Sequence, residues 1–578
     1  MKKKEIYSIT QGKVHYKGIA KEHTVTDGPE ERVRCRVVND LINKYKYPPK
    51  RIDINVLVPR RKPSDYADVV VFSNDQLTEP YIVIETKEPR IPERERLQAI
   101  EQGFGNANSL RAKYMLFDND VTHTAFNVAG FPATERIKNI IADIPISYGK
   151  TPKYQYKKGD KVWDLSKIDF HQLDRKFSSC HDALWEGGKR DPSEAFDEMS
   201  KLMFAKIYDE RFTKTGSYYG FQVGTNETTE MVASRIRDIY KQAQSREPVI
   251  FRGELVASDS RILEVVEILQ GVSLIHTDLD AKGRAFENFL SEIFRGKLGQ
   301  YFTRREIVDF VVRMVDPDHE DIVIDPACGS SGFLLYCMSY VKDKVKRDFA
   351  QDEETIQRIS WEFSHKQVYG IEVNDRIARI AMMDMVIHED GHTNIECENA
   401  LVDYGHFDPR KGIVPGRFTV VLTNPPFGSK IKDKDVPLDN YELGSKIVKR
   451  ATQKSETLFI ERCLDLLEHK GRMGIVLPNG ILNNPNKNDR RAREYILNNA
   501  IVKAIVALPH FAFLPAKAMT RASLVFLEKC KPEEIPEDYE IFMAIADHIG
   551  YDSTGRKDPK NDLPSILDEF RKMGGWER

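Results

Sequence analysis

Apolar positions recur along the chain in three rhythms. From Glu31 to Tyr45, residues Val33, Val37, Leu41 and Ile42 fall at helical spacing and predict an amphipathic helix. Short β-rich runs follow at Asp53–Val58, Asp68–Phe72, Tyr81–Thr86 and Lys113–Phe117, broken by Pro, Asn and Ser. These elements predict an α+β domain over residues 1–148. The polar stretch Gly149-Lys150-Thr151-Pro152-Lys153 has the composition of a linker. Beyond it the period turns helical. Phe196, Met199, Leu202, Met203 and Ile207 form one stripe, and Ile262, Val265, Val266 and Leu269 another, each suited to a core. They predict a helical domain over 160–280. The third region, 281–578, opens on a helix with Phe286, Phe289, Leu290, Ile293 and Phe294 on one face. Strand-like runs then recur at 321–325, 367–372, 418–424, 472–477, 502–508 and 522–527, most with helical patterns between them. That alternation predicts a parallel α/β sheet whose ligands bind at the carboxyl ends of the strands.

Composition narrows the class. The 578 residues carry 87 Lys+Arg against 89 Asp+Glu, with 41% hydrophobic and 30% charged, a globular balance with room for three or four domains. No apolar run approaches the ~20 residues of a membrane span. Met1-Lys2-Lys3-Lys4-Glu5 is basic, but no apolar stretch follows it, so no secretory signal is expected. Cysteines 35, 180, 328, 337, 397, 463 and 530 are scattered and lack Cys-x-x-Cys spacing. That speaks against a disulfide framework or a zinc knuckle and for a reducing, cytoplasmic setting.

The chemistry concentrates at strand ends of the third region. The run 321–325 leads into Asp325-Pro326-Ala327-Cys328-Gly329-Ser330-Ser331-Gly332-Phe333, where two glycines three apart let a ligand approach the backbone. Many strand-to-helix turns look like this, so the loop alone is weak evidence. The next run ends at Glu372, a carboxylate placed to accept both hydroxyls of a ribose. Thr423-Asn424-Pro425-Pro426-Phe427-Gly428 follows the strand Phe418–Leu422. Two prolines make a stiff turn. A turn does not require an amide and a phenyl ring around them, but methylation of an exocyclic amine does. The amine lone pair is delocalised into the base. Hydrogen bonds from the amine to the Asn424 side-chain oxygen and the Pro425 carbonyl localise that pair, and Phe427 stacks on a flipped-out base.

On these residues region 281–578 resembles the modification subunits of type I restriction–modification systems, N6-adenine DNA methyltransferases. The resemblance implies a Rossmann-like S-adenosylmethionine-dependent methyltransferase fold and a double-stranded DNA substrate. It implies that Gln300, Tyr301, Phe302, Thr303, Asp325, Ala327, Gly329, Ser331, Gly332, Glu372 and Asn399 bind the cofactor. Asn424, Pro425, Pro426 and Phe427 would form the catalytic motif. Leu477-Pro478-Asn479-Gly480, the run His548–Arg556 and Asn561–Pro564 also resemble this family, as does the helical region. Arg304 stands where the family usually has Pro, and Asn399 where many relatives have Asp. After the last strand-like run near Leu527 only about 50 residues remain, few for paired recognition domains. A separate specificity subunit, with or without a restriction subunit, is therefore the expected partner.

In the first region Asp68 opens one strand, while Glu85 and Lys87 share one side of the next. Two carboxylates and a lysine at one point could hold Mg²⁺ and activate water for phosphodiester cleavage. Such patterns also arise by chance as solvated edge pairs. The surroundings Arg60-Arg61-Lys62, Asp65-Tyr66-Ala67-Asp68 and Glu85-Thr86-Lys87-Glu88-Pro89 resemble the N-terminal nuclease domain of type I restriction subunits. That resemblance implies metal ligands at Asp68 and Glu85, a catalytic role for Lys87, and accessory roles for Glu31 and Gln102. No Gly-x-x-x-x-Gly-Lys-Ser/Thr occurs in the chain.

Basic residues follow the catalytic motif at Lys430, Lys432, Lys434, Lys446, Lys449, Arg450 and Lys454, and again at Lys487, Arg490, Arg491 and Arg493. Charge runs are mostly solvated faces; beside a base-flipping loop they suit phosphate contacts. Two other functions compete. One is methylation of RNA or of protein glutamine, which also uses Asn-Pro-Pro. The other is a scaffold whose nuclease-like part only grips DNA or a partner.

Overall fold

The computed structural model describes the chain except residues 1–5, 60–64, 186–191, 247–252, 278–281, 283–284, 286–302, 351, 389–393, 447–450, 514–520, 555 and 577–578. Most of the expected helix opening the third region, and Gln300, Tyr301 and Phe302, lie outside the described residues. The chain forms two compact units, Met1–Arg295 and Gly296–Arg578.

The first unit begins with a three-stranded antiparallel sheet, β1 (Tyr7–Thr10), β2 (Lys13–Tyr16) and β3 (His23–Thr26). Helix α1 (Pro29–Asn43) has Pro29 at its start and two acids, Glu30 and Glu31, in its first turn, as the helix dipole favours. A six-stranded sheet follows in chain order: β4 (Ile52–Val58), β5 (Asp65–Phe72), β6 (Pro80–Thr86), β7 (Tyr114–Asp118), β8 (His123–Asn127) and β9 (Ile140–Ile141). Only β6 and β7 run parallel, and α2 (Glu93–Leu110) makes the crossover between them. Val33, Val37, Val38 and Leu41 of α1 pack with Ile52, Val69, Val71, Ile82, Ile84 and Leu116 in one core. Gly103 of α2 sits where a Cβ would lie 3.3 Å from the Glu85 Cβ and 2.2 Å from the Met115 Cε. Glycine there lets the helix backbone close onto the strand that carries Glu85.

Residues 149–153 stay within this unit, where Thr225 donates to the Pro152 carbonyl at 2.6 Å. The helical region supplies α3 (Phe170–Trp185), α4 (Pro192–Phe212), α5 (Thr229–Arg246) and α6 (Asp259–Leu269). It is joined to the sheet by polar contacts. Lys176 donates to the carbonyls of Val121 and Ile268 at 2.6 and 2.9 Å, and Arg96 pairs with Glu264 at 2.8 Å.

The second unit is built on strands β10 (Val323–Asp325), β11 (Val368–Ile371), β12 (Ile395–Glu396), β13 (Phe418–Thr423), β16 (Leu467–Pro478), β17 (Ala500–Ala507), β18 (Ala522–Lys529) and β19 (Phe542–Ile545). The hairpin β14 (Lys430–Lys432) and β15 (Thr452–Lys454) stands apart from that sheet. The strand order is β12-β11-β10-β13-β16-β18-β17-β19. The first five strands in that order are parallel, as their apolar runs on both faces predicted. The expectation of an all-parallel sheet fails at β18, which runs antiparallel to both β16 and β17. It pairs beside β17 as a hairpin partner, which needs no crossover helix. The order reverses between β10 and β13, the switch point at whose carboxyl-end crevice folds of this kind bind ligands. No helix among the described residues is long and apolar enough to cross a membrane.

Candidate active site

Three of the expected side chains stand at the crevice of the second unit because they end or follow neighbouring strands. The registers Ile324↔Val421 and Asp325↔Gly370 bring the ends of β13, β10 and β11 side by side. Asp325 is buried, its Oδ1 accepting from the Ala327 N–H at 3.0 Å. Burial, with the charge of Glu372 added, pushes its carboxyl up to about 7. Glu372 follows β11, and its two oxygens accept the N–H groups of Gly329 at 3.2 Å and Asn374 at 2.8 Å. Burial raises this carboxyl as well. Gly329 has φ +52° and Ser331 φ +71°, so the loop turns twice through the left-handed region. Ser331 is the N-cap of α8 (Gly332–Asp348), and Gly332 opens that helix. The loop therefore sits between the two carboxylates and the positive end of a helix. Asn399 lies three residues beyond β12, and its Oδ1 accepts from the Leu401 N–H at 3.0 Å.

The Asn-Pro-Pro-Phe loop begins directly after β13. Asn424 Nδ2 donates to Thr303 Oγ1 at 2.8 Å, while Asn424 Oδ1 is buried with no hydrogen-bond partner among the described residues. Thr303 precedes α7 (Arg305–Val315). The loop is pinned by the start of α11 (Ser455–Leu466), whereas α9 (Glu353–Lys366) and α10 (Asp375–Ile387) precede the loop in the chain. Ser455 Oγ donates to the Pro426 carbonyl at 2.6 Å, and Glu456 accepts from the Gly428 N–H at 3.1 Å. Gly428 has φ +72°, a turn that a side chain would strain. The Phe427 ring meets Phe513 edge-on at 6.2 Å. Sequence reasoning missed Ser455, Glu456 and Phe513; the one available signal was a Ser-Glu pair opening an apolar helical stretch.

A second polar cluster lies in the first unit. Extending the register Val70↔Val83, Val69↔Ile84 by one step places Asp68 opposite Glu85. Glu85 is buried, with Oε1 accepting from Lys87 Nζ at 3.0 Å and Oε2 unpartnered among the described residues. Burial and then the Asp68 charge hold its carboxyl well above the usual range. Asp68 Oδ1 accepts from Arg34 at 2.8 Å, and its Oδ2 from the N–H and hydroxyl of Thr86 at 2.7 and 3.0 Å. The acid of α1 that reaches Lys87 is Glu30, at 3.4 Å. Glu31 instead accepts from Tyr16 at 2.6 Å and pairs with Arg34 at 2.9 Å. Gln102 donates to Asp65 at 3.2 Å. Among the described residues no group of three or more His, Cys, Asp or Glu is arranged to hold a metal ion. Arg34 and Glu30 were not foreseen, since a helix facing a strand end is a tertiary contact.

Residues 277–574 match the family model for N-6 DNA methylase, and residues 29–145 that for the type I restriction enzyme R protein N terminus. The chain is 25% identical over 262 residues to the type I restriction enzyme EcoEI methylase subunit of Escherichia coli, covering 45% of this chain and 48% of that protein. It is 24% identical over 237 residues to the type II restriction enzyme and methyltransferase RM.BcgI of Heyndrickxia coagulans, covering 40% of this chain and 32% of that protein. It thus spans half or less of these curated relatives. Among solved structures, a modification subunit ascribed to a type I restriction enzyme from Vibrio vulnificus YJ016 matches with a TM-score of 0.50. That match has 18% identity over 71% of this chain and 91% of that one, and shows the shared fold.

Proposed function

Because the chain belongs to the N-6 DNA methylase family, we propose that it transfers a methyl group from S-adenosylmethionine to N6 of adenine in DNA, within a restriction–modification system. The observation that carries this reading is the Asn424 amide. Its buried oxygen has no partner among the described residues beside a stiff Pro-Pro turn, and an amine hydrogen would satisfy it. The Pro425 carbonyl would take the second hydrogen, and Phe427 would stack on the base.

The strand ends suit the cofactor. Asp325 and Glu372 are buried and receive N–H donors, yet no Lys or Arg pairs with either among the described residues' ion pairs. Such carboxylates favour a cationic ligand with hydroxyl groups. S-adenosylmethionine would supply an electrophilic methyl on a sulfonium. Glu372 would accept ribose hydroxyls, the Gly329–Gly332 turn would admit the ligand to the backbone, and Asn399 would stand near the base. Ala327 and Ser331 would shape that turn, and Gln300, Tyr301 and Phe302 would complete the methionine side. As N6 bonds the methyl, the sulfonium–methyl bond would break and leave a neutral thioether, and the N6 proton held beside the Asn424 and Pro425 acceptors would pass to solvent.

The test is tritium-methyl transfer to adenine in duplex DNA, with calorimetry for cofactor binding. Wild type should label adenine; Asn424→Ala should bind cofactor and label nothing. Labelling of RNA or protein but not DNA would replace this reading. The partners proposed are duplex DNA and a separate specificity subunit, with a restriction subunit in the complete system. Adding the specificity subunit should convert salt-sensitive, non-selective DNA binding into site-selective methylation.

A second reading is favoured by one observation in the first unit, the buried Glu85 Oε2, which has no partner among the described residues, beside Lys87. Asp68 and Glu85 would hold Mg²⁺ for DNA cleavage, with Lys87 orienting water. Arg34 occupies Asp68 Oδ1, so a cation must displace it. Nicking of unmethylated plasmid in Mg²⁺ or Mn²⁺, lost in Lys87→Ala, is expected; uncut plasmid with partner subunits present would leave the cluster a DNA grip.

A further inference from the structure

The family resemblance implies Thr303 as a cofactor contact, and in the structure its hydroxyl accepts from Asn424 of the Asn-Pro-Pro-Phe loop. We propose that Thr303 is a positioning residue for methyl transfer, which holds the amide plane of Asn424 so that Oδ1 faces the target amine. This rests on the methyltransferase reading and assigns a step within it.

A primary amide has a donor end and an acceptor end of nearly equal size. Only the acceptor end can draw a hydrogen from the target amine. The donor end would set two N–H groups against each other. Asn424 Nδ2 points at Thr303 Oγ1, 2.8 Å away, which leaves Oδ1 as the buried end with no partner among the described residues. The hydroxyl can turn its own hydrogen aside and accept, so the contact satisfies the part-buried Nδ2 without competing for Oδ1.

The backbone around Thr303 is suited to hold a side chain still. Arg304 caps α7 with φ −61° and ψ 143°, the φ that a proline ring would impose. The Arg304 guanidinium lies over the Tyr551 ring at 4.2 Å, and the Tyr551 hydroxyl donates to the Ala512 carbonyl at 3.1 Å. Departure from the family's Pro therefore keeps the backbone path and adds a side-chain anchor next to Thr303.

Thr303→Val removes the hydroxyl at nearly constant shape, and Thr303→Ser restores it. Turnover at saturating cofactor and DNA should fall about tenfold in Thr303→Val, the scale of one hydrogen bond. The cofactor dissociation constant should stay within about twofold of wild type, and Thr303→Ser should recover turnover. A weakened cofactor constant with unchanged saturated turnover would make Thr303 a cofactor ligand and overturn the proposal. Unchanged values of both would also overturn it. A readout independent of activity is the side-chain NH₂ pair of Asn424 in protein labelled with ¹⁵N-asparagine, identified by its loss in Asn424→Ala. It should shift and exchange faster with water in Thr303→Val and return in Thr303→Ser. If it does not respond, the contact is refuted whatever the activity. If it responds while wild type labels no DNA, the methyltransferase reading fails and the contact stands.

Discussion

The two polar clusters are built from the same acids and balanced in opposite ways. In the first unit Asp68 and Glu85 meet cations of the chain itself, Arg34 at 2.8 Å and Lys87 at 3.0 Å, and Glu30 adds a third acid near the lysine. In the second unit Asp325 and Glu372 accept from backbone N–H groups of Ala327, Gly329 and Asn374, and no Lys or Arg pairs with either among the described residues. A buried carboxylate without a counter-cation is costly until a ligand supplies one. The difference teaches that, on the proposed reading, the second cluster would take up a cationic ligand directly, whereas a metal ion at the first would compete with Arg34 and Lys87.

The largest effect expected is at Asn424. Asn424→Ala should lower methyl transfer by about a hundredfold to a thousandfold, the scale of removing a transition-state hydrogen bond, with cofactor binding kept. Tritium-methyl assay and calorimetry on the same preparation check both halves. Lys87→Ala should leave that activity intact, and loss of methylation there would break the separation of the two clusters.

Next in size is Arg34→Ala. It strips the cation from Asp68 and Glu31 in a buried setting, which costs about 3–5 kcal/mol. Urea unfolding followed by proteolysis of the first unit should show it. Asp325→Asn should do the reverse in cofactor-free protein, since it removes an uncompensated buried charge. At pH 8 we expect a gain of roughly 1–3 kcal/mol, with loss of cofactor binding.

The pH dependence sharpens the same contrast. The native Asp325 carboxyl titrates near 7, above the unfolded range near ~4. The native state thus holds a proton that the unfolded chain has released. That contribution is fully present below about pH 4 and is lost as pH rises through about 7. Melting temperatures of wild type should fall over this window more steeply than those of Asp325→Asn. Equal slopes would mean the carboxylate is already compensated.

The smallest effect concerns Arg304. Because its φ is already −61°, Arg304→Pro should keep the backbone path and lose the Tyr551 contact with a weak 4.0 Å pair to Glu306, at a cost of about 1 kcal/mol or less. A thermal melt showing several kcal/mol would mean the guanidinium carries more than that contact.

The amino-acid order by itself determined the elements and the kinds of chemistry. Apolar runs such as Phe418–Thr423 marked central strands, and the Pro-Pro turn with its amide and ring marked the reaction, because these signals are local in the chain. Asp325, Glu372 and Asn424 could be placed at strand ends before any strand was paired. Pairing itself was decided only in three dimensions. The antiparallel course of β18 follows from its neighbours β16 and β17, and nothing in 522–527 distinguishes it from a parallel strand. The choice of Glu30 over Glu31 beside Lys87 depends on how α1 rotates against β6, a packing outcome that one residue of phase reverses. Likewise Thr303 and Asn424 are 121 residues apart, and Arg34 and Asp68 are 34 apart. Contacts over such separations come from the packing of whole elements, so which side chain completes which site was left to the tertiary structure.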